Sequence, residues 1–545
     1  MLRSRFALVA ATICMVVVAV SCSSDDGGSS ATKDTGSKST SSTTAPAGEF
    51  NQAFDQGTPK DGGSIKIGVE AEIASLDPAG ALADVSDYDI ALAIYDPLVD
   101  YDTKGNLVPG LATKWSGSSD FKTWTLQLRK GVQFTDGTPF NADAVVKQFE
   151  RLKDPATKCT CAANVAHITK VEAQGDSTVA FTLDEANAFF VPSLNAAIGL
   201  IASPTATAKY GTDYARHPVG TGAFSLTSYD PIVLQKNPNY WRKDAQGRAL
   251  PHLDKITVQP ITENTIRLQS LAAGDIDLMQ VGDTNTIIKA IQSGKYTVQK
   301  ITGGSSTSVS MNNRKPPFND VRMRQAFAQA VNRDEINNIE YQGSRQLAYS
   351  QFAATSPWYD ADAGWLTYNQ KKAKQLVAAA KADGVSTTFT LTCVTSDESR
   401  KLLNIVKQQI AKVGLTANLE YVDQGTYVHK LLDADHSFVA GCSRNGENLT
   451  PDLYDGWHTD ASFNAEGYHN PKSDKIMEDI RATADPKEQK KLVDDLQTNL
   501  ANDVPAFPLL YDLFANIANK DISGLPVPKP VTLGVITFAD LYRVG

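Results

Sequence analysis

Between Ser23 and Gly48 the chain carries almost no apolar side chain; Ser, Thr, Gly, Asp and Lys fill the stretch. Such a composition buries too little surface to offset the entropy of ordering it. It therefore splits the 545 residues into a short leader and a long body, joined by a flexible polar tether. The body runs from about Gly62 to Gly545 and exceeds what one core ordinarily serves, so two or three domains are expected.

The leader, residues 1–21, reads as a signal peptide. Arg3 and Arg5 precede a mostly apolar run from Phe6 to Val20, too short for a comfortable membrane span. It ends in Ala19-Val20-Ser21-Cys22, which resembles a bacterial lipobox, with Cys22 lipidated as the new N-terminus. Ala19 stands where Leu, Val or Ile is usual, and the alternative is an ordinary cleaved signal with an incidental cysteine. A lipid on Cys22, a leash over 22–61 and a folded body make a coherent arrangement on the outer face of the cytoplasmic membrane. No later segment has the 18 consecutive apolar residues of a membrane span.

The formal net charge is −9, with both signs interspersed and no basic stripe, which argues against a nucleic-acid partner. Beyond Cys14 and Cys22 four cysteines remain, Cys159, Cys161, Cys393 and Cys442. In an exported chain an even set points to two disulfides, and four cysteines allow three connectivities. Cys159-Thr-Cys161 with His167 is a weak metal signal beside that reading, so no metal and no cofactor is expected.

Helical and strand patterns alternate along the body, giving an α/β (mixed α+β) class. Thr123–Leu128 alternates as a strand, and Asp136-Gly137 marks a turn. Asn141 caps a helix with Val145, Phe149 and Leu152 on one face. A helix over Thr262–Ala273 stops at Gly274, and Asn319-Asp320 opens another carrying Met323, Ala326, Phe327, Ala330 and Val331. Leu402, Val406, Ile410 and Val413 form a further stripe, closed by Gly414, and a strand through Leu415, Ala417, Leu419 and Tyr421 follows. The glycines of Gly220-Thr221-Gly222 invite a phosphate-loop reading, but Ala223–Leu226 alternates like a strand where such a loop needs a helix. No Gly-x-Ser-x-Gly elbow or His-Glu-x-x-His pair is present, and no nucleophile has a recognisable setting, so no enzyme is expected.

Several stretches together resemble one family. Pro109-Gly-Leu-Ala-Thr-Lys-Trp115, a strand read over Leu128–Phe134, the Asp136-Gly-Thr-Pro139 turn and His217-Pro-Val-Gly-Thr-Gly-Ala-Phe224 look like family 5 extracellular solute-binding proteins. Leu271–Leu278, Asn312–Ala326 and Pro505–Tyr511 match in the same order, across nearly the whole mature chain. These proteins are the oligopeptide-, dipeptide- and nickel-binding components of ABC importers. The resemblance implies a two-lobed fold of the periplasmic-binding-protein type II kind, with a hinge and an inserted subdomain. Lobe one would comprise 62–94, 217–303 and 512–545, the insert 95–216, and lobe two 304–511. It implies a monomer that captures a peptide or similar small solute between its lobes and delivers it to a permease with its ATPase subunits. An exported sensor or adhesin of the same fold is the alternative, and an exported hydrolase a more distant one.

The resemblance also implies site residues. It places the strands of Cys393 and Cys442 side by side, which pairs those two and leaves Cys159 to Cys161. Peptide binders of the family carry a Trp-Gly-Ala-Asp-like stretch after the strand read here as Ser437–Cys442, its acid receiving the peptide amine. This chain has Ser443-Arg444-Asn445-Gly446-Glu447 there, a departure that weakens the expectation of an ordinary dipeptide. Arg444 suits a carboxylate or phosphate and Glu447 an amine. Ser443, Asn445, Trp457, Asn312 and Glu72 complete the expected ligand-binding set.

Overall fold

A computed structural model describes residues 50–545 apart from 81–84, 433–436, 447–452, 462–463 and 530–533; the leader, most of the tether, Cys22 and Glu447 lie outside it. A ten-stranded sheet runs through the described residues. Its strands in chain order are β1 (Ser64–Val69), β2 (Phe224–Tyr229), β3 (Ile232–Lys236), β4 (Lys255–Pro260), β5 (Leu278–Val281), β6 (Thr297–Met311), β7 (Thr388–Val394), β8 (Thr416–Val422), β9 (Ala440–Gly446) and β10 (Ala506–Ala518). Across the sheet they lie in the order β8-β7-β9-β6-β10-β5-β1-β4-β3-β2.

Apolar side chains divide this sheet into two halves. Ile65, Ile67 and Val69 of β1 join Ile90, Ile94, Leu234, Ile256, Val258 and Leu278 in one core. Val309 and Met311 at the far end of β6 join Phe327, Phe389, Leu391, Val406, Ile410 and Phe507 in another. Only β6 and β10 contribute to both ends: Leu513, Ala515 and Ile517 of β10 pack in the first half and Phe507, Leu509 and Leu510 in the second. The helices over them obey the sequence patterns. Asn141 accepts from the Ala144 amide at 3.0 Å and caps Ala142–Lys153. Asp320 accepts from the Arg322 amide at the head of Val321–Ala330. Gly274, in the left-handed region at φ 79°, ends Asn264–Ala273.

A separate four-stranded sheet, in the order Ala112–Gly117, Thr123–Leu128, Thr178–Leu183, Ile168–Ala173, carries its own core of Trp124, Leu126, Phe149 and Phe181 under the Ala142–Lys153 helix. It is tied to the first half where Gly220-Thr221-Gly222 passes the end of the Val85–Ile94 helix. The Gly222 amide donates to the Ile94 carbonyl at 2.8 Å, and the Thr135 amide donates to the Gly220 carbonyl at 2.9 Å. A Cβ on Gly220 would lie 2.2 Å from the Ile94 oxygen, and one on Gly222 2.5 Å from that of Ala93. Thr221, Tyr240 and Trp241 all donate to the Asp96 carboxylate, at 3.0, 2.8 and 2.8 Å. Burial pushes that carboxyl up, against the opposing pull of Arg242 and the three donors. The glycines serve close backbone approach, as the strand-like sequel implied.

Three expectations are corrected. The chain joins the fold at Phe50 rather than near 62: the Phe50 ring is buried under the Lys300 ammonium, Asn51 exchanges hydrogen bonds with Thr302, and Pro59–Lys60 pairs with Val544 and Arg543. The strand read over Leu128–Phe134 ends at Leu128, because Gly131 turns the chain at φ 78° and Gln133 bridges back to Pro139. The run read as Ser437–Cys442 becomes a strand only at Ala440 and continues to Gly446, drawn on by antiparallel pairing with β6.

Two disulfides are present. Cys393 on β7 is joined to Cys442 on β9 with Cα atoms 5.2 Å apart, and Cys159 to Cys161 with Cα atoms 5.1 Å apart. Peptide mapping without reductant is expected to recover these two pairs, and a Cys159–Cys393 peptide would contradict them. Gly220→Ala, which drives a methyl into the Ile94 carbonyl, is expected to lower stability by about 1–3 kcal/mol in urea unfolding.

Candidate functional site

Strand direction alone locates a cleft. In the first half β4 and β5 run parallel to β1, so their carboxyl ends, Val69, Pro260 and Val281, share one edge. β5 and β6 both pair antiparallel with β10 over its 515–518 segment, so that edge points along β6 toward the second half. In the second half β9 is antiparallel to β6, and β7 and β8 run parallel with β9, so Val394, Val422 and Gly446 end toward the first half. The carboxyl ends of both parallel sets therefore face each other across the two connecting strands, the usual position of a ligand crevice in open α/β sheets.

The crossing point is a break in register. Thr302 pairs with Leu513, but the next pair is Ser306 with Tyr511, so Gly303, Gly304 and Ser305 bulge opposite the single residue Asp512. Gly303 and Gly304 have φ of 107° and 70°, which glycine adopts without strain. The Asp512 carboxylate is buried there and accepts from Ser305 Oγ at 2.5 Å and Thr307 Oγ1 at 2.9 Å. Arg345 lies beside it, with a guanidinium nitrogen 3.9 Å from Asp512 Oδ1. Its other donors reach Glu398 Oε1 at 3.3 Å and Thr284 Oγ1 at 3.2 Å, and its plane stacks 4.1 Å from the Tyr341 ring centre. Burial works against the Arg345 charge, and Tyr341, Glu398, Asp512 and Asp283 outweigh it, so the guanidinium is held in its charged form. Thr284 belongs to the first half and Glu398 to the second, which makes Arg345 a tie across the cleft. On the first-half edge Glu70 Oε2 accepts from the Gly282 amide at 3.1 Å and from the fully buried Arg267 at 3.3 Å.

The expected site residues separate into two groups. Glu72, exposed just beyond β1, and Ser443, Arg444 and Asn445, at the carboxyl end of β9, come to the facing edges. Ser443 stands opposite Ser308, Arg444 opposite Thr307 and Asn445 opposite Ser306. The Ser443 hydroxyl is buried with no hydrogen-bond partner among the described residues. Gln351 donates to the Gly446 carbonyl at 3.1 Å. The side chains of Arg444 and Asn445, like Glu447, lie outside the description. Asn312 and Trp457 are both buried. Asn312 sits past the end of β6 remote from the bulge, fully buried, with its amide on the Phe438 carbonyl at 2.9 Å. Trp457 is buried edge-on to Tyr468 in an apolar cluster with Leu453 and Ile476. Asn312 is thus set at the end of its strand away from the bulge, and Trp457 is held in a buried apolar cluster.

Arg345, Asp512, Glu398 and Thr284 were not legible as a group. The only hint was the adjacency of Gly303, Gly304 and Ser305, whose meaning depends on strand register. Among the described residues no cluster of three or more His, Cys, Asp or Glu side chains is arranged to hold a metal, and no helix is long and apolar enough to cross a membrane. Asp512→Ala, which strips two hydroxyl donors of their acceptor and a buried guanidinium of a nearby opposite charge, is expected to destabilise the chain by roughly 3–5 kcal/mol, measurable by urea unfolding.

Known proteins share this fold. Residues 106–465 match the family description "Bacterial extracellular solute-binding proteins, family 5 Middle". The glutathione-binding protein GsiB of Pectobacterium atrosepticum is 27% identical over 497 residues, covering 87% of this chain and 93% of its own. The crystal structure of the ABC transporter substrate-binding protein CtaP of Listeria monocytogenes superposes with a TM-score of 0.77 at 24% identity, covering 89% of this chain and 100% of its own. DppA of Helicobacter pylori, in complex with the peptide STSA, gives 0.74 at 24% identity, covering 89% and 99%. The fold is that of the type II periplasmic binding proteins.

Proposed function

Since the chain belongs to the bacterial extracellular solute-binding proteins of family 5, we propose that it closes two lobes around a peptide-like solute at the facing strand ends. It is the extracytoplasmic solute-binding component of an ABC importer, which hands its cargo to a permease whose ATPase subunits drive transport. The observation that carries the mechanism is the opposition of two sets of strand carboxyl ends across a two-strand connection bulged at Gly303–Ser305. A ligand that touches both edges only when they are close shifts the population toward the closed form by its differential affinity.

In this reading lobe one comprises 50–94, 217–303 and 512–545, the insert 95–216, and lobe two 304–511. The separate cores of the two halves support the limit between the lobes, while Tyr95, Leu200, Ala202, Ala206 and Tyr214 of the insert pack into the core of lobe one. Cys22 carries the lipid that keeps the monomeric protein near its permease, and two or more acyl chains suffice for stable anchoring. Peptide-like cargo is supported by the relatives, one named for glutathione and one solved with a peptide. Ser443, Arg444, Asn445 and Glu72 supply polar and charged contacts from the two edges, Arg444 toward an anionic group of the solute.

Mass spectrometry of whatever co-purifies and is released on denaturation identifies the cargo, and calorimetry with glutathione and short peptides measures it. A protein that binds none of these and releases no small molecule would remove the cargo assignment. Arg444→Ala is expected to weaken binding by roughly 3–5 kcal/mol, about 100- to 5000-fold in Kd; an unchanged affinity with the fold intact takes Arg444 out of the site. Cys22→Ser is expected to move the protein from the membrane fraction to the soluble one, or to leave it unprocessed.

A further inference from the structure

The insert does more than decorate lobe one. Most of its polar ties run to that lobe: Arg151 donates twice to Asp77, at 2.9 and 2.5 Å, and Thr160 Oγ1 donates to the Gly80 carbonyl at 2.9 Å. One segment, Asp184–Phe190, reaches the other way. It is fixed to the insert by Trp124 Nε1 on the Asn187 carbonyl at 3.1 Å and Lys122 Nζ on the Asp184 carbonyl at 2.8 Å.

From there it grips the last turn of the helix Pro471–Ala482 in the second half. The Ala188 amide donates to the Arg481 carbonyl at 2.7 Å. That oxygen is one of the helix-end carbonyls with no partner inside the helix. The Arg481 guanidinium bonds Glu185 Oε1 and stacks 4.3 Å from the Tyr454 ring centre. Ala188 and Phe189 are both buried, and they are members of a cluster whose other buried residues all come from the second half, Trp457, Tyr468, Ile476 and Ile480 among them. A backbone hydrogen bond, an ion pair and a buried aromatic ring thus join parts of the chain almost 300 positions apart, on opposite sides of the Gly303–Ser305 bulge.

We propose that Asp184–Phe190 is a closure latch: the insert, moving with lobe one, seats Phe189 and caps the 471–482 helix when the lobes meet, and this contact must break for solute to enter or leave. The proposal rests on the reading of the two halves as closing lobes. Trp457 then has a role as part of the socket for Phe189, apart from any solute contact.

Hydrogen exchange at the Ala188 amide and small-angle scattering of the ligand-free full chain test it, with Phe189→Ala, Arg481→Ala and the milder Glu185→Gln. The latch requires a protected Ala188 amide in the wild type, faster exchange in each variant, and a larger radius of gyration in the first two. Where solute binds, a tenfold fall in the closed population raises the apparent Kd about tenfold. Variants that scatter like the wild type both with and without glutathione, while glutathione contracts all of them, would overturn the latch and leave the closing lobes intact. Faster Ala188 exchange with no change of size in any variant, and no contraction of any chain with glutathione, would overturn both, since the contact would then loosen without the lobes parting.

Discussion

One carboxylate sets the geometry on which the rest depends. Where β6 and β10 pass between the two halves, three residues of one strand oppose Asp512 of the other, and Ser305 and Thr307 turn their hydroxyls onto it. Without an acceptor at that spot the bulge would leave donors unsatisfied in a buried strand pair, and regular pairing would remove the break in the ladder. The same carboxylate helps hold Arg345, which in turn spans the halves through Thr284 and Glu398. The crossing between the halves is thereby also held by a buried polar network.

Much of the fold was legible in the chain because its signals are local. The side chains of Asn141 and Asp320 cap the helices their positions announced, Gly274 ends its helix in the left-handed region, and Leu402, Val406 and Ile410 line a buried face. The family resemblance supplied order along the chain, so it led to the end of β9 and to the loop beyond β1. It could not supply register. Whether Ser443–Gly446 continue a strand depends on Ser305–Met311 lying opposite, and no spacing within either segment states that. Asn312 belonged to a motif that matched well, but the match reflects a buried amide that fastens Phe438. A well-matched motif marks a constrained position, and the constraint here is packing.

The cleft chemistry was the least legible part for the same reason. Arg345, Glu398 and Asp512 are separated by long stretches of sequence, and each looks like an ordinary charged residue in its own surroundings. The burial of Arg345 and Asp512, with Glu398 half-buried beside them, makes them a group. Charges removed from water persist only with partners, so Arg345 and Asp512 at a strand crossing are mutually dependent in a way that surface charges are not. The polar strip of Ser306, Ser308 and Ser443 is similar: small hydroxyls read as unremarkable strand residues until register sets them on adjoining strands beside the facing edge.

The seam at Gly220-Thr221-Gly222 bears on how such a molecule is assembled over evolutionary time. The insert begins beside Asp96 and the chain re-enters the first half just before Thr221, and these two side chains touch at 3.0 Å. A segment whose two ends meet at one knot is topologically a closed loop. Its outer part can lengthen or shrink while the strands on either side keep their positions, provided that the knot and the residues it lends to the first-half core, Leu200, Ala202, Ala206 and Tyr214, survive. The tight glycines, which tolerate no Cβ, are the stitches that make the insert a module of adjustable size.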